Sequence, residues 1–133
     1  MINLYSTAVT AAANQLITWA NKAVQRGNSA TLAADSQTIN LNVPGIYEVS
    51  VSGYGTTTAA GTFGLQLNAN GATVTRGAAA MTTDAGEIGT AAFDALVVVN
   101  GVYDSTAKAA LTVTYTGGAG TITEVGIVVK KVA

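Results

Sequence analysis

From residue 37 onward the chain alternates. In Gln37-Thr-Ile39-Asn-Leu41-Asn-Val43 the apolar residues hold odd positions and the polar ones even positions. After Pro44-Gly45 the same phase runs through Tyr47, Val49 and Val51, with Glu48, Ser50 and Ser52 between them. Phe63, Leu65, Leu67 and Ala69 repeat it, as do Leu111, Val113 and Tyr115, and then Val125, Ile127 and Val129. A period of two, carried by β-branched and aromatic residues, marks half-buried antiparallel strands. No segment after residue 25 shows the three- and four-residue spacing of a helix.

The breaks between these runs are legible too. Pro44-Gly45 suits a tight turn, with Pro presetting φ and Gly accepting positive values. Asn70-Gly71 stands between two alternating runs and is a strong hairpin signal. Asn100-Gly101 ends the run Ala95-Leu-Val-Val-Val99, and Gly117-Gly118-Ala-Gly120 joins the last two strands. Many short strands separated in this way predict an all-β sandwich or barrel in a single domain, residues 1–133. In the first third, Leu4–Val9 and Gln15–Trp19 read as short strands, with Trp19 directed into the core. Ala11-Ala-Ala-Asn14 reads as helical. Residues 22–36, 53–62 and 77–90 read as loops. Residues 1–14 form either an anchor or the first strand.

One segment breaks the alternation. Ala95–Val99 is apolar at every position, so the strand is expected to be covered on both faces. The opposite sheet supplies one cover, and a neighbouring subunit or a capping loop supplies the other. Val125–Val129, with Ile127, Val128 and Val129 consecutive, is a second such place. Burying three side chains of this kind contributes about 1.5–3 kcal/mol each. The residues proposed from sequence to line an oligomer interface are therefore Val97, Val99, Ile127 and Val129. Tyr5, Tyr54, Tyr103 and Tyr115 join them as aromatic anchors that serve equally well as core or rim.

Composition agrees with covered surfaces. Apolar residues make up 49% of the 133-residue chain and charged residues only 10%, against about 25% in a typical soluble domain. The net charge of −1 comes from six basic and seven acidic residues. Only Lys130 and Lys131 are adjacent bases, so no basic stripe is present to displace phosphate counterions, and a nucleic-acid partner is not expected. The start of the chain has no charged segment followed by an apolar block, and no apolar run approaches the roughly 20 residues that span a bilayer. Export by a secretory signal and membrane insertion are not expected.

The chemistry-bearing residues are sparse. There is no Cys and no His, which removes disulfides, thiolate nucleophiles, the usual zinc ligands and any imidazole base. Gly53-Tyr-Gly55 begins like a dinucleotide loop, but no third glycine and no βαβ unit follow. Asp84 and Glu87 share one segment and bring hard oxygen ligands for calcium, though two acids fall short of the six to eight oxygens that calcium takes. Asp94 interrupts an apolar strand. It sits either on the outer face, at a bulge, or beside Arg76 or Lys108. No cofactor and no enzymatic activity are expected.

With the strands placed, a family comes into view. The stretch Ile39-Asn-Leu-Asn-Val43-Pro44-Gly45-Ile46-Tyr47-Glu48-Val49 resembles the strand, Pro-Gly, aromatic, strand signature of the C1q/TNF-like jelly roll. The Leu65–Gly71 hairpin and the closing strand after Gly120 are similar to that family's next hairpin and last strand. The usual Gly-Asp before the penultimate strands is replaced by Asn100-Gly101. The resemblance implies a ten-strand, two-sheet antiparallel jelly roll that forms compact homotrimers. Its Ala/Thr/Gly-rich style resembles the small phage virion proteins of this fold. The expected role is a non-enzymatic structural protein on a virion surface, such as a capsid decoration or head-fibre knob. The alternatives are a receptor-binding tip for a host glycan or protein and a knob of a bacterial surface or spore coat.

Overall fold

The computed structural model describes residues 1–101 and 108–133. Among them lie eleven strands and no helix: β1 (Ile2–Ala11), β2 (Gln15–Leu16), β3 (Asn21–Gln25), β4 (Ala30–Leu32), β5 (Ile39–Leu41), β6 (Gly45–Thr57), β7 (Gly61–Ala69), β8 (Ala72–Thr83), β9 (Ile88–Val99), β10 (Ala109–Tyr115) and β11 (Gly120–Lys131). They form two antiparallel sheets. One has five strands in the order β3-β1-β11-β6-β9, and the other has six, in the order β4-β5-β10-β7-β8 with β2 paired to β10. This is the all-β architecture that the alternation predicts and the two-sheet jelly roll that the resemblance implies, with eleven strands among the described residues where the resemblance implied ten.

Between the sheets lies one buried cluster to which β1, β4, β5, β6, β7, β9, β10 and β11 all contribute. The odd-numbered residues of β6, Tyr47, Val49 and Val51, point inward with the odd residues of β7 and β10, as the alternation requires. Trp19, Tyr47, Phe63 and Tyr115 are its largest fully buried side chains. Phe63 and Tyr115 meet edge to face with ring centroids 5.5 Å apart. The buried phenols keep their hydrogen bonds: Tyr47 donates to the Val43 carbonyl at 2.6 Å and Tyr115 to the Gly118 carbonyl at 2.6 Å.

Not every strand keeps one phase. In β1 the inward residues are Ile2, Leu4 and Ser6, and after Ala8, at φ 52°, they become Val9 and Ala11. In β11 the inward residues change from Ile122 to Val125 across Thr123. The β1–β11 register places these two irregularities side by side, so both strands change phase together and their pairing survives. Close backbone packing accounts for Gly55 and Gly120. A Cβ on Gly55 would run into the Thr121 carbonyl, and one on Gly120 into the Thr56 carbonyl.

Several sequence expectations need correction. Residues 77–90 are not a loop: β8 and β9 occupy most of that stretch and leave only a tight turn, in which the Glu87 amide donates to the Asp84 carbonyl at 3.1 Å. Alanine- and threonine-rich sequence is poor in hydrophobic signal, but pairing with β7 supplies the strand. Residues 22–36 contain β3 and β4, and residues 53–57 continue β6. Ala11–Asn14 is not helical. β1 ends there, and Asn14 takes a left-handed φ of 62° whose amide donates to the Tyr115 carbonyl at 2.9 Å. Residues 2–11 are the first strand. The Asn70-Gly71 turn does form as expected, with φ of 52° and 80°, the pair of positive values a type I′ hairpin needs.

Two local devices stitch the irregular first third to the sheets. The Ser6 hydroxyl donates to the Thr18 carbonyl at 2.6 Å and accepts from the Ala20 amide at 2.8 Å, so one buried side chain substitutes for a missing ladder bond on each side. Replacing it, Ser6→Ala, strands both groups and is expected to destabilise the fold by about 1–3 kcal/mol in urea unfolding. Asp35 closes a turn by accepting from the Gln37 and Thr38 amides, each at 2.9 Å, and from the Thr38 hydroxyl at 2.8 Å. The Thr38 and Gln37 bonds hold the Asp35 carboxyl below its usual range. A depressed carboxyl favours the fold above its unfolded value and loses that contribution as pH falls through the folded one. The protection factors of the Gln37 and Thr38 amides, exchange rates divided into their intrinsic rates at each pH, are therefore expected to fall on acidification below that point, and Asp35→Ala to reproduce the loss at neutral pH.

Candidate functional site: the outer face of the five-stranded sheet

Alternation that sends one set of side chains into the core sends the other set outward. On β9 the inward set is Ala91, Ala95, Val97 and Val99, so Leu96 and Val98 face outward, with Ile88 near the start of the strand. Their exposures are 62%, 63% and 63%. They share even parity with Thr90 and Asp94, which also lie outward. Across the sheet, Leu96 pairs with Glu48 and Val98 with Ile46. Tyr54, Tyr5 and the half-buried Val128 continue the face over β6, β1 and β11.

Its centre is floored by small residues. One cross-strand row reads Tyr5, Gly126, Ser52, Ala92, and the next reads Thr7, Glu124, Tyr54, Thr90. Small side chains between large ones leave hollows. One of about 370 Å³ lies among Tyr54, Ile88, Thr90, Ala92, Glu124 and Gly126. A second of about 320 Å³ lies beside it among Asn3, Tyr5, Ser50, Ser52, Glu124 and Gly126. A third, of about 540 Å³, opens at the β8–β9 edge between Thr75 and Arg76 on one side and Glu48, Asp94, Ala95 and Leu96 on the other.

The few charges on the face differ in their partners. Glu48 lies 3.7 Å from Lys130 in a half-exposed pair, an arrangement that contributes little. Asp94 lies on the outer face, as one sequence reading had it, and accepts a hydrogen bond from the Ser50 hydroxyl rather than pairing with Arg76 or Lys108. The outer face of the other sheet is different in kind. It carries Asn40, Gln66, Asn68, Thr112 and Thr114, all neutral, among which Asn68 donates to Thr114 at 2.8 Å and Gln66 donates to the Leu67 carbonyl at 2.7 Å. One sheet thus shows water a hydrogen-bonding surface and the other an apolar one.

The interface residues proposed from sequence divide accordingly. Tyr5 and Tyr54 lie on this face and flank its small-residue floor. Val97, Val99, Tyr115, Ile127 and Val129 do not. They are 7%, 4%, 1%, 1% and 0% exposed and fill the chain's own core. The sequence predicts cover on both faces of Ala95–Val99 and Val125–Val129 and does not say which side chains turn inward, because those that suit the core are the same chemical type as those left outside. Tyr103 lies outside the described residues. Nor is Ala95–Val99 covered on both sides by the described residues, since Leu96 and Val98 remain exposed. The missed residues, Ile88, Leu96 and Val98, carried a signal. Thr90 and Asp94 mark the even positions of β9 as outward, and Leu96 and Val98 share that parity. Ile88 was hidden in the supposed loop. Asp84 and Glu87 are exposed on the β8–β9 turn, and among the described residues no group of three or more acids, His or Cys gathers as a metal site.

No protein-family model matches the chain, and no curated protein matches it by sequence. Solved structures do match by shape. The globular domain of zebrafish complement 1qA protein superposes with a TM-score of 0.75 over 99% of this chain and 96% of that one, at 9% identity. Eiger TNF from S. frugiperda gives 0.70 over 99% and 92%, at 18% identity. Murine APRIL gives 0.61 over 97% and 98%, at 13% identity. Strand order, a single core between two sheets and these superpositions agree: the chain has a two-sheet jelly-roll fold like that of C1q and TNF domains.

Proposed function

We propose that this chain is a non-enzymatic structural subunit that assembles with copies of itself, as a homotrimer, through the outer face of its five-stranded sheet, and that it does so on the surface of a phage virion. The observation that carries the assembly reading is the exposure of Ile88, Leu96 and Val98 on one face of a chain whose other sheet face is neutral and polar. Ile88 stands at one end of β9 and Leu96 and Val98 at the other, with Tyr54 and Ala92 among polar groups between them, and exposed apolar side chains spread over one face in this way mark a protein–protein contact. Tyr5 and Tyr54 add rigid aromatic area of the kind that anchors such contacts. The shortage of charge across the whole chain supports the same reading, since less of the surface then has to face water alone. Three copies, and the virion, come from the sequence resemblance to small phage proteins of this fold. The absence of Cys, His and any catalytic motif supports a structural role.

Light scattering on the purified chain is expected to give three times the monomer mass. A monomer at high protein concentration would remove the assembly reading. Leu96→Lys with Val98→Lys is expected to give a folded monomer, because both side chains are already in water within one chain. Val97→Thr is expected to act the other way, lowering unfolding stability by roughly 1–3 kcal/mol because it buries a hydroxyl. Mass spectrometry of purified virions checks the location, and a trimer missing from them would overturn the virion role.

A further inference from the structure

Covering the apolar face would bury one acid that the chain itself leaves alone. Glu124 sits between the two central hollows, cross-strand from Tyr54 and Thr7. Its side chain has no hydrogen bond or ion pair among the described residues, whereas Glu48 has Lys130 and Asp94 has Ser50. A carboxylate withdrawn from water without a partner opposes association strongly. If the face is an interface, the covering copy must bring a donor to this carboxylate, and a cation is the strongest one.

The chain's own cations narrow the choice. Lys130 pairs with Glu48, Lys22 donates to Gln25 at 2.9 Å, Lys131 donates to the Ala133 carbonyl at 2.8 Å, and Lys108 is engaged within the chain. Only the Arg26 and Arg76 guanidiniums have no such contact among the described residues. Arg26 follows the last residue of β3, at the opposite edge of the sheet from Leu96. Arg76 stands at the lip of the hollow that Leu96 also lines.

Arg76 is also held in place. Between the Gln66–Ala78 and Asn68–Thr73 pairs, the four residues Val74–Gly77 of β8 face the single residue Leu67, so β8 bulges there. Arg76 takes a left-handed φ of 63° at the crest. The Gln66 amide donates to the Gly77 carbonyl at 3.1 Å, and a Cβ on Gly77 would fit tightly, 3.1 Å from Val74 and 3.2 Å from Leu67. A non-glycine residue kept in that backbone region presents its side chain from a preset root. Glu124 lies on β11, separated from β9 by β6, so the two groups stand about two strand spacings apart, roughly 10 Å, before the edge is even reached.

We infer that Arg76 of one copy pairs with Glu124 of the next, a contact that rests on the assembly reading above. The planar guanidinium matches a carboxylate with two parallel bonds. Tyr54 and Tyr5 line the hollows on either side of Glu124, and Ser52 and Gly126 leave space there. A contact that joins the edge of one copy to the face of the next is heterologous, the kind of contact that builds a ring when its rotation closes.

A charge-reversal cycle read by sedimentation tests the pair. Glu124→Arg and Arg76→Glu are each expected to weaken assembly about a hundredfold, and the double variant to restore most of it. Arg76→Asn, which suits a left-handed backbone, is expected to weaken assembly without loss of fold. If the unaltered chain is a monomer, the assembly reading falls and this pair with it. If the unaltered chain assembles but the single variants match it, or the double variant is no better than the singles, the pair alone is overturned. Rescue of Glu124→Arg by Arg26→Glu in place of Arg76→Glu would also overturn it.

Discussion

The apolar layer between the two sheets sets nearly everything else about this chain. It is built from the odd positions of β6, β7, β9 and β10, locked together by backbone ladders whose register cannot slip by one residue without turning every side chain over. Once Tyr47, Val49 and Val51 point inward, pairing with β9 places Val97 and Ala95 beside them. Leu96 and Val98 then have nowhere to go but out. The exposed face is thus a consequence of the core, not a separate feature laid over it.

The price of that arrangement is an outer surface that water does not favour. The chain meets it asymmetrically. Asn68, Thr114 and Gln66 give the six-stranded sheet's surface a set of neutral hydrogen bonds, while Ile88, Leu96, Val98 and two tyrosines leave apolar area exposed on the other. Small residues in the middle of that face, Ser52, Ala92 and Gly126, give it relief. Relief matters because packing at an interface core depends on close fit as much as on area. Few charges remain there, so each one bears on partner choice: an acid satisfied within the chain is neutral to association, and an unsatisfied one selects what covers it.

Irregularities serve the same end. The paired phase changes near Ala8 and Thr123 let β1 and β11 keep Val9, Ala11 and Ile122 against the core after their alternation turns over. The bulge of β8 moves Arg76 away from its own sheet and toward the neighbouring edge. Both are local departures from an ideal ladder, and both leave the core filled.

How much of this was open to a reader of the residues alone follows from the physics. Period-two alternation in 37–51, 63–69, 111–115 and 125–129 has one structural meaning, and Asn70-Gly71 admits one kind of turn, so the all-β class and the hairpin were legible. β3, β4 and most of β8 were not. Their Ala, Thr and Asn residues hold no strong preference, and only a partner strand makes them extended. The direction in which a uniformly apolar strand faces was the hardest to read, because Leu96 and Val97 are chemically alike and differ only in what lies opposite. Local chemistry settles whether a segment is a strand, whereas long-range pairing settles which side of it is inside. In this chain that second decision separates the residues that hold one molecule together from those left free to join it to another.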